Sequence, residues 1–386
     1  MKTSQTVVLV SGMLVTGTLN TLLTKLQDME CVGNCEDPDP SRRQLFEQPT
    51  WQTLNMFAGE TLCLIVFYLN IFWTNYRRKR QAGVLAMAGN PDALPATLAD
   101  TRPLTGLRTL LMWLPAAFDI CGTTLMNVGL FYTSASVYQM LRGAVVIFSG
   151  IFSVIFLKHR LQSFQWGSLL LIMIGVGTVG MSSVLFPYQP APVPNAADPI
   201  GITVAGVEFS ERSLLGVGMV LMAQIFTAAQ FVVEEKIMHK FHVVPMRAVG
   251  LEGIFGLGTV AMGIPLLHGV IGRTHPGGYF DMYDGFHQIV DNSGVWTTSI
   301  AIMFSIAFFN WFGLSVTRSL SATSRSTIDT CRTLFIWMAS VSLGWEHFQL
   351  LQVAGFAILI YGTFVYNGVV PPPFGKPADT SDEVSE

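Results

Sequence analysis

A chain of 386 residues that is 51% hydrophobic and only 12% charged is not composed like a water-soluble domain, in which about a quarter of the residues carry charge. Its mean hydropathy of +0.48 points to a polypeptide that spends most of its length in a bilayer. A formal net charge of −3 argues against nucleic acid as a partner.

A helix needs about 20 predominantly apolar residues to cross a membrane. Ten segments meet that requirement: 6–26, 51–74, 109–130, 134–157, 164–186, 213–235, 247–270, 294–316, 322–344 and 350–370. The expected fold is an all-α polytopic membrane protein of ten transmembrane helices. The first segment lacks a basic leader and a small-residue cleavage site, so it reads as a span and not as a signal peptide. Cys31 and Cys35 follow in a polar loop, close enough to form a local disulfide if that loop faces an oxidising compartment. A metal site there has less support, because neither His nor a second Cys pair accompanies them. Cys63, Cys121 and Cys331 fall inside apolar runs and read as small hydrophobes.

The second segment ends at Arg77-Arg78-Lys79-Arg80, which reads as a topology anchor. With the N-terminus inside, this cluster shares the cytoplasmic side with Lys158, Arg160, Lys236, Lys240, Arg247 and Arg318. The opposite loops hold only Lys25, Arg42, Arg43, Arg212 and Arg273. Both termini are therefore expected in the cytosol. Residues 75–108 and 271–293 read as polar loops. The stretch 187–199, with Pro187, Pro190, Pro192, Pro194 and Pro199, reads as an extended link. Glu234-Glu235-Lys236 reads as a solvated helix end, and the tail after residue 370 as acidic and disordered.

Two halves of the chain can be laid on one another. Glu60 meets Glu252, Asp119 meets Asn310, Arg142 meets Arg332, and Gln165-Trp166-Gly167 meets Val353-Ala354-Gly355. Because five spans are odd in number, the second copy enters the membrane from the opposite side. The spans are therefore expected as two inverted five-helix repeats, residues 1–186 and 213–370, joined by a Pro-rich linker over 187–212 and followed by a tail over 371–386. Inverted repeats place their site near the midplane, where the two copies meet.

Six charged residues fall within these spans: Glu60, Asp119, Arg142, Glu252, Asp329 and Arg332. Each is costly in hydrocarbon unless partnered, and arginine keeps its proton. Asp329 and Arg332, spaced i, i+3, share a helix face; they form either a self-satisfied ion pair or part of a gate or site. Arg142, roughly 12 Å along its span, has no acid one turn away; it tethers another helix or meets an anionic substrate group. Tyr138 and Gln139 lie one turn before it and offer a ring and an amide beside the guanidinium. Glu60 and Glu252, flanked by Gly59 and Gly253, are candidates for proton or cation coupling, since a carboxyl held away from water can exchange a proton in the physiological range. The alternative for both is helix tethering. Asp119 and Asn310 complete the candidate cavity wall. Four acids against two bases suggest a cavity suited to cations, protons or zwitterions. No phosphate loop, nucleophile elbow or zinc motif is present, so neither an enzyme nor a bound cofactor or metal is expected.

The run Ser134-Ala-Ser-Val-Tyr-Gln-Met-Leu-Arg142-Gly143, the Asp329-Thr-Cys-Arg332 motif, the Trp345-Glu346 turn and the Gly355…Gly362-Thr…Tyr366-Asn367 ending resemble the drug/metabolite transporter superfamily, and within it the F branch of solute carrier family 35. The resemblance covers essentially all ten spans. It implies an alternating-access carrier of a small metabolite in an endomembrane, the lysosome first and the Golgi or mitochondrion as alternatives. Amino acids, small peptides and nucleotide sugars are the substrate classes considered. The rival reading is an adaptor that keeps the carrier fold and acts through protein partners.

Overall fold

Long apolar runs with few interior prolines can satisfy their backbone in lipid only as helices, and helices dominate the structure. The computed structural model describes residues 3–37, 43–87, 104, 106–132, 138, 141–185, 202–204, 207–209, 211–241, 243–274, 278, 280–345 and 348–371. In chain order the helices are α1 (Thr3–Asp28), α2 (Pro49–Met87), α3 (Trp113–Tyr132), α4 (Val145–Phe156), α5 (Ser163–Leu185), α6 (Glu211–Phe241), α7 (Pro245–Val270), α8 (Met282–Asp291), α9 (Ser293–Ser319), α10 (Ala322–Ser342) and α11 (Leu350–Tyr366). Among the described residues, six helices are long and apolar enough to cross a membrane: those within α1, α2, α3, α6, α7 and α9. The chain is an all-α polytopic membrane protein.

Several elements depart from expectation. Helix α2 runs on to Met87, well into the stretch read as a loop from residue 75. Helix α6 continues to Phe241 and carries Glu234 and Glu235, which are 0% and 1% exposed; only Lys236 of that triplet is exposed. The solvated helix end is thus corrected to a buried pair of acids. The loop 271–293 contains α8, started by Asp281, whose side chain accepts from the backbone N–H groups of Tyr283 and Asp284. Within the span expected over 134–157, Tyr138, Leu141 and Arg142 are helical, a turn follows, and helix α4 begins at Val145. Gly143 and Ala144 form a turn closed by tight i→i+3 bonds, Ala144 N–H to Leu141 O (3.0 Å) and Val146 N–H to Gly143 O (3.2 Å). Glycine is a poor helix residue, and a side chain at 143 would run into Val176. The proline-rich stretch 187–199 and the tail after residue 371 lie outside the described residues; within the linker, Ile202–Val204 and Val207–Phe209 pair as an antiparallel hairpin.

The chain forms two compact units, and each draws on both halves of the sequence. One comprises Lys2–Ala117 and Val233–Arg318. Here α2 packs along α7, and the contact is backbone to backbone: a Cβ on Gly253 would stand 2.6 Å from Thr61 N, and one on Gly250 would stand 2.5 Å from Leu64 N. Helix α1 lies along α9, tied by Ser305 Oγ donating to Asn20 Oδ1 (2.8 Å) and Gln27 Nε2 to Ser299 Oγ (2.8 Å). A core of Leu104, Met112, Met238, Val249 and Leu314 closes one end. At the other end Cys31 and Cys35 are disulfide-bonded, and Asn292, which caps the start of α9, donates to Cys31 O at 2.8 Å.

The other unit comprises Phe118–Val232 and Ser319–Glu386. Helices α5 and α11 cross on facing glycines: a Cβ on Gly175 would meet Gly355 O at 2.8 Å, and one on Gly355 would meet Gly175 O at 2.9 Å. Helix α4 meets α10 through hydroxyl pairs, Ser149 with Ser326 (2.6 Å) and Ser153 with Thr323 (2.9 Å). Helix α3 approaches α6 where Gly122 faces Thr227. Small residues and hydroxyl pairs are how helices associate when lipid supplies no hydrophobic drive.

Candidate substrate site

Helix α10 is the least apolar of the long helices, because Ser321 caps it and hydroxyls and charges fill its first half. Asp329 and Arg332 lie one turn apart and meet: Arg332 Nη2 donates to Asp329 Oδ2 at 3.4 Å, and Nε lies 3.4 Å from Oδ1. Arg332 is buried. The ladder of α4 against α10 locates Arg142. Seven residues before Ser149, and nearly two turns on from Ser326 along α10, stand Arg142 and Arg332. Arg142 is close enough for its charge to act on Arg332. Its guanidinium lies over the Tyr138 ring, 5.9 Å from the centroid, a cation–π arrangement. Among the described residues, no carboxylate oxygen lies within 4.0 Å of it. Gln139 lies outside the described residues. Asp119 sits half-buried in α3 of the same unit, its carbonyl accepting from Thr123 Oγ1 at 2.7 Å.

A third arginine belongs with these two and was not among the expected site residues. Arg325 is only 2% exposed. Its guanidinium stacks 4.1 Å from the centroid of the Phe231 ring of α6, and its charge also acts on Arg332. Its sequence signal is its spacing. Arg325, Asp329 and Arg332 fall at i, i+4 and i+7, one stripe of a helix. Its place near the helix start had left it out of the charge balance. In this unit Arg142, Arg325 and Arg332 stand with Asp329 and Asp119, while the buried acids Glu60, Glu234, Glu235 and Glu252 belong to the other unit.

Glu60, Glu252 and Asn310 lie in the other unit. Asn310 Nδ2 donates to Glu60 Oε1 at 2.5 Å. Glu60 and Glu252 are both buried, on helices that touch where Gly253 abuts the backbone of Glu60. Gly59 likewise lets α2 settle on Met303 of α9. The flanking glycines therefore let α7 and α9 close on α2 at the level of Glu60. Among the described residues, no group of three or more His, Cys, Asp or Glu side chains could hold a metal.

A family model described as nucleotide-sugar transporter matches residues 98–290. Solute carrier family 35 member F6 of Homo sapiens is 38% identical over 368 residues, covering 94% of this chain and 89% of its own. The member F6 protein of Mus musculus is 36% identical over 364 residues, covering 93% and 88%. A solved structure described only as a crystal structure of a protein superposes with a TM-score of 0.57 at 13% identity, covering 95% of this chain and 97% of that one; at that identity the likeness concerns the fold. The class is a membrane transporter and not an enzyme. Within that class, the chain belongs to solute carrier family 35, its relatives lying in the F branch at the sixth member.

Proposed function

We propose that this protein is a secondary transporter that moves a small anionic metabolite by alternating access. The observation that carries this reading is the convergence of Arg142, Arg325 and Arg332 in one unit, two of them lying over aromatic rings. A guanidinium fork suits carboxylate and phosphate oxygens. A phosphate-bearing metabolite of the nucleotide-sugar kind fits such a cluster better than a cation or a zwitterion does. Tyr138 and Phe231 supply ring faces beside it. Glu60, held by Asn310, and Glu252 form the coupling element, taking up and releasing protons as access alternates. The tight turn at Gly143 and Ala144, next to Arg142, is the kind of helix interruption that carriers place at their sites.

We read the architecture as ten spans in two inverted repeats. The helix pairs support this. Spans two and seven, four and nine, and five and ten pack as partners. Span one packs on eight and three on six, and exchanging the copies turns each of these pairs into the other. The charge bias of the loops supports cytosolic termini, and we place the protein in an endomembrane, the lysosome first.

The test is uptake into proteoliposomes from a panel of anionic, zwitterionic and cationic metabolites. An anionic substrate is expected, with Arg142→Gln and Arg325→Gln each raising KM by about tenfold or more, the loss of one charge-assisted contact. Transport of a cation, or unchanged KM in both variants, would sink the assignment.

A further inference from the structure

The short helix α8 lies between two spans and carries an apolar stripe that stays at least half exposed. Tyr283, Phe286 and Val290, at i, i+3 and i+7, are 64%, 50% and 54% exposed. The opposite side is anchored: Gly285 is buried against the Trp51 indole and Met282 N–H donates to His268 Nδ1 at 3.3 Å; two rings also border the stripe, Trp51 with its centroid 6.0 Å from that of Phe286 and His268 5.2 Å from that of Tyr283. The stripe alongside, at i+4 and i+8, is polar: His287 and Asp291 are exposed and 3.2 Å apart. The helix is thus amphipathic about a fixed axis, with its apolar stripe turned outward.

We propose that this stripe is buried in the headgroup–acyl boundary of the leaflet on the Cys31–Cys35 side of the membrane. Three observations choose lipid over a protein partner. Only Asn292 separates α8 from α9, so the helix cannot leave the membrane surface. The adjoining span ends also carry exposed apolar residues, Leu266 and Val270 of α7 and Trp296 of α9. Its composition, Tyr and Phe beside a polar stripe, is that of a helix lying in the interface plane. The bilayer surface is therefore a binding partner of α8, separate from the transport site.

The experiment uses the full-length protein in lipid nanodiscs. Nitroxide labels are attached at single cysteines introduced at 283, 286, 287, 290 and 291, in a background with Cys63, Cys121 and Cys331 replaced by alanine and the Cys31–Cys35 bond kept. Labels at 283, 286 and 290 are expected to show a severalfold higher ratio of oxygen to nickel-chelate collisions than labels at 287 and 291. Nickel access at all five positions would place the helix in water, and collisions with neither reagent at 283, 286 and 290 would place a protein partner or second copy there; either overturns the proposal. A photoreactive benzoylphenylalanine in place of Phe286, in the otherwise native chain, reads the same contact without disturbing the cysteines. It is expected to give phospholipid adducts, and adducts to protein alone reject the proposal.

Discussion

Glu60 and Asn310 are a residue pair whose two members should fail differently. Asn310 donates to a buried carboxylate oxygen, and glutamine at 60 retains a carbonyl oxygen to accept that bond. Glu60→Gln should therefore fold, with a melting temperature within a few degrees of the native protein, while uptake loses its response to an imposed pH gradient. Asn310→Ala removes the donor and leaves a buried acceptor short of a partner, at a cost of about 1–3 kcal/mol, so it should melt earlier. An uptake response to pH that survives in Glu60→Gln would remove Glu60 from the coupling role and leave it as a tether. Arg325 divides similarly. Phe231→Leu keeps the apolar bulk under the guanidinium and removes the cation–π contact, so it should weaken substrate binding less than Arg325→Gln does, the contact itself being worth about 0.5–2 kcal/mol.

At the scale of elements, glycine decides which helices can cross. Gly253 and Gly258 occupy the same helix, α7, yet a Cβ at 253 would meet the backbone of α2 whereas one at 258 would meet nothing within 4 Å. Gly253→Ala should lower the melting temperature, by the roughly 1–3 kcal/mol that overpacking costs. Gly258→Ala should leave it unchanged or raise it slightly, alanine being the better helix former. Equal melting of the two variants would mean that α2 and α7 do not cross at 253. This contrast also measures how far the sequence could be read. Apolar length located α1, α3, α5, α7, α9 and α10 to within a few residues, because lipid allows little else. It overlooked α8, whose stripe of three apolar positions is too short to register as a span. Apolar length alone also stops α2 and α6 too early, at their first run of charges. Charge marks an exit from lipid and not from helix: Glu234 and Glu235 are buried in α6 against the closed end of their unit. The site was partly legible for the same reason. Arg142 and Arg332 stood out in apolar surroundings. Arg325, among serines and threonines near a helix start, has polar neighbours in sequence, and only packing shows it to be buried.

At the scale of the whole molecule, the two compact units do not coincide with the two halves of the sequence. Each draws on residues from both halves: Lys2–Ala117 with Val233–Arg318, and Phe118–Val232, which runs through the central linker, with Ser319–Glu386. Helix α2 finds its main partner in α7, α5 finds its partner in α11, and α4 finds its hydroxyl partners on α10. A half expressed alone would insert helices whose glycine-lined and hydroxyl-bearing faces meet lipid instead of their mates, an environment that offers those polar groups no partners. Residues 1–200 and 201–386 made separately should therefore be degraded or run as aggregates in detergent. The same two fragments made together should recover a single species that elutes with the intact chain, since every cross-half contact can re-form without a covalent link. The measurement is size-exclusion chromatography of fluorescently tagged fragments, alone and together. A stable, monodisperse fragment 1–200 on its own would mean that the first half buries its own faces, and that the repeats, not the mixed units, are the bodies that fold.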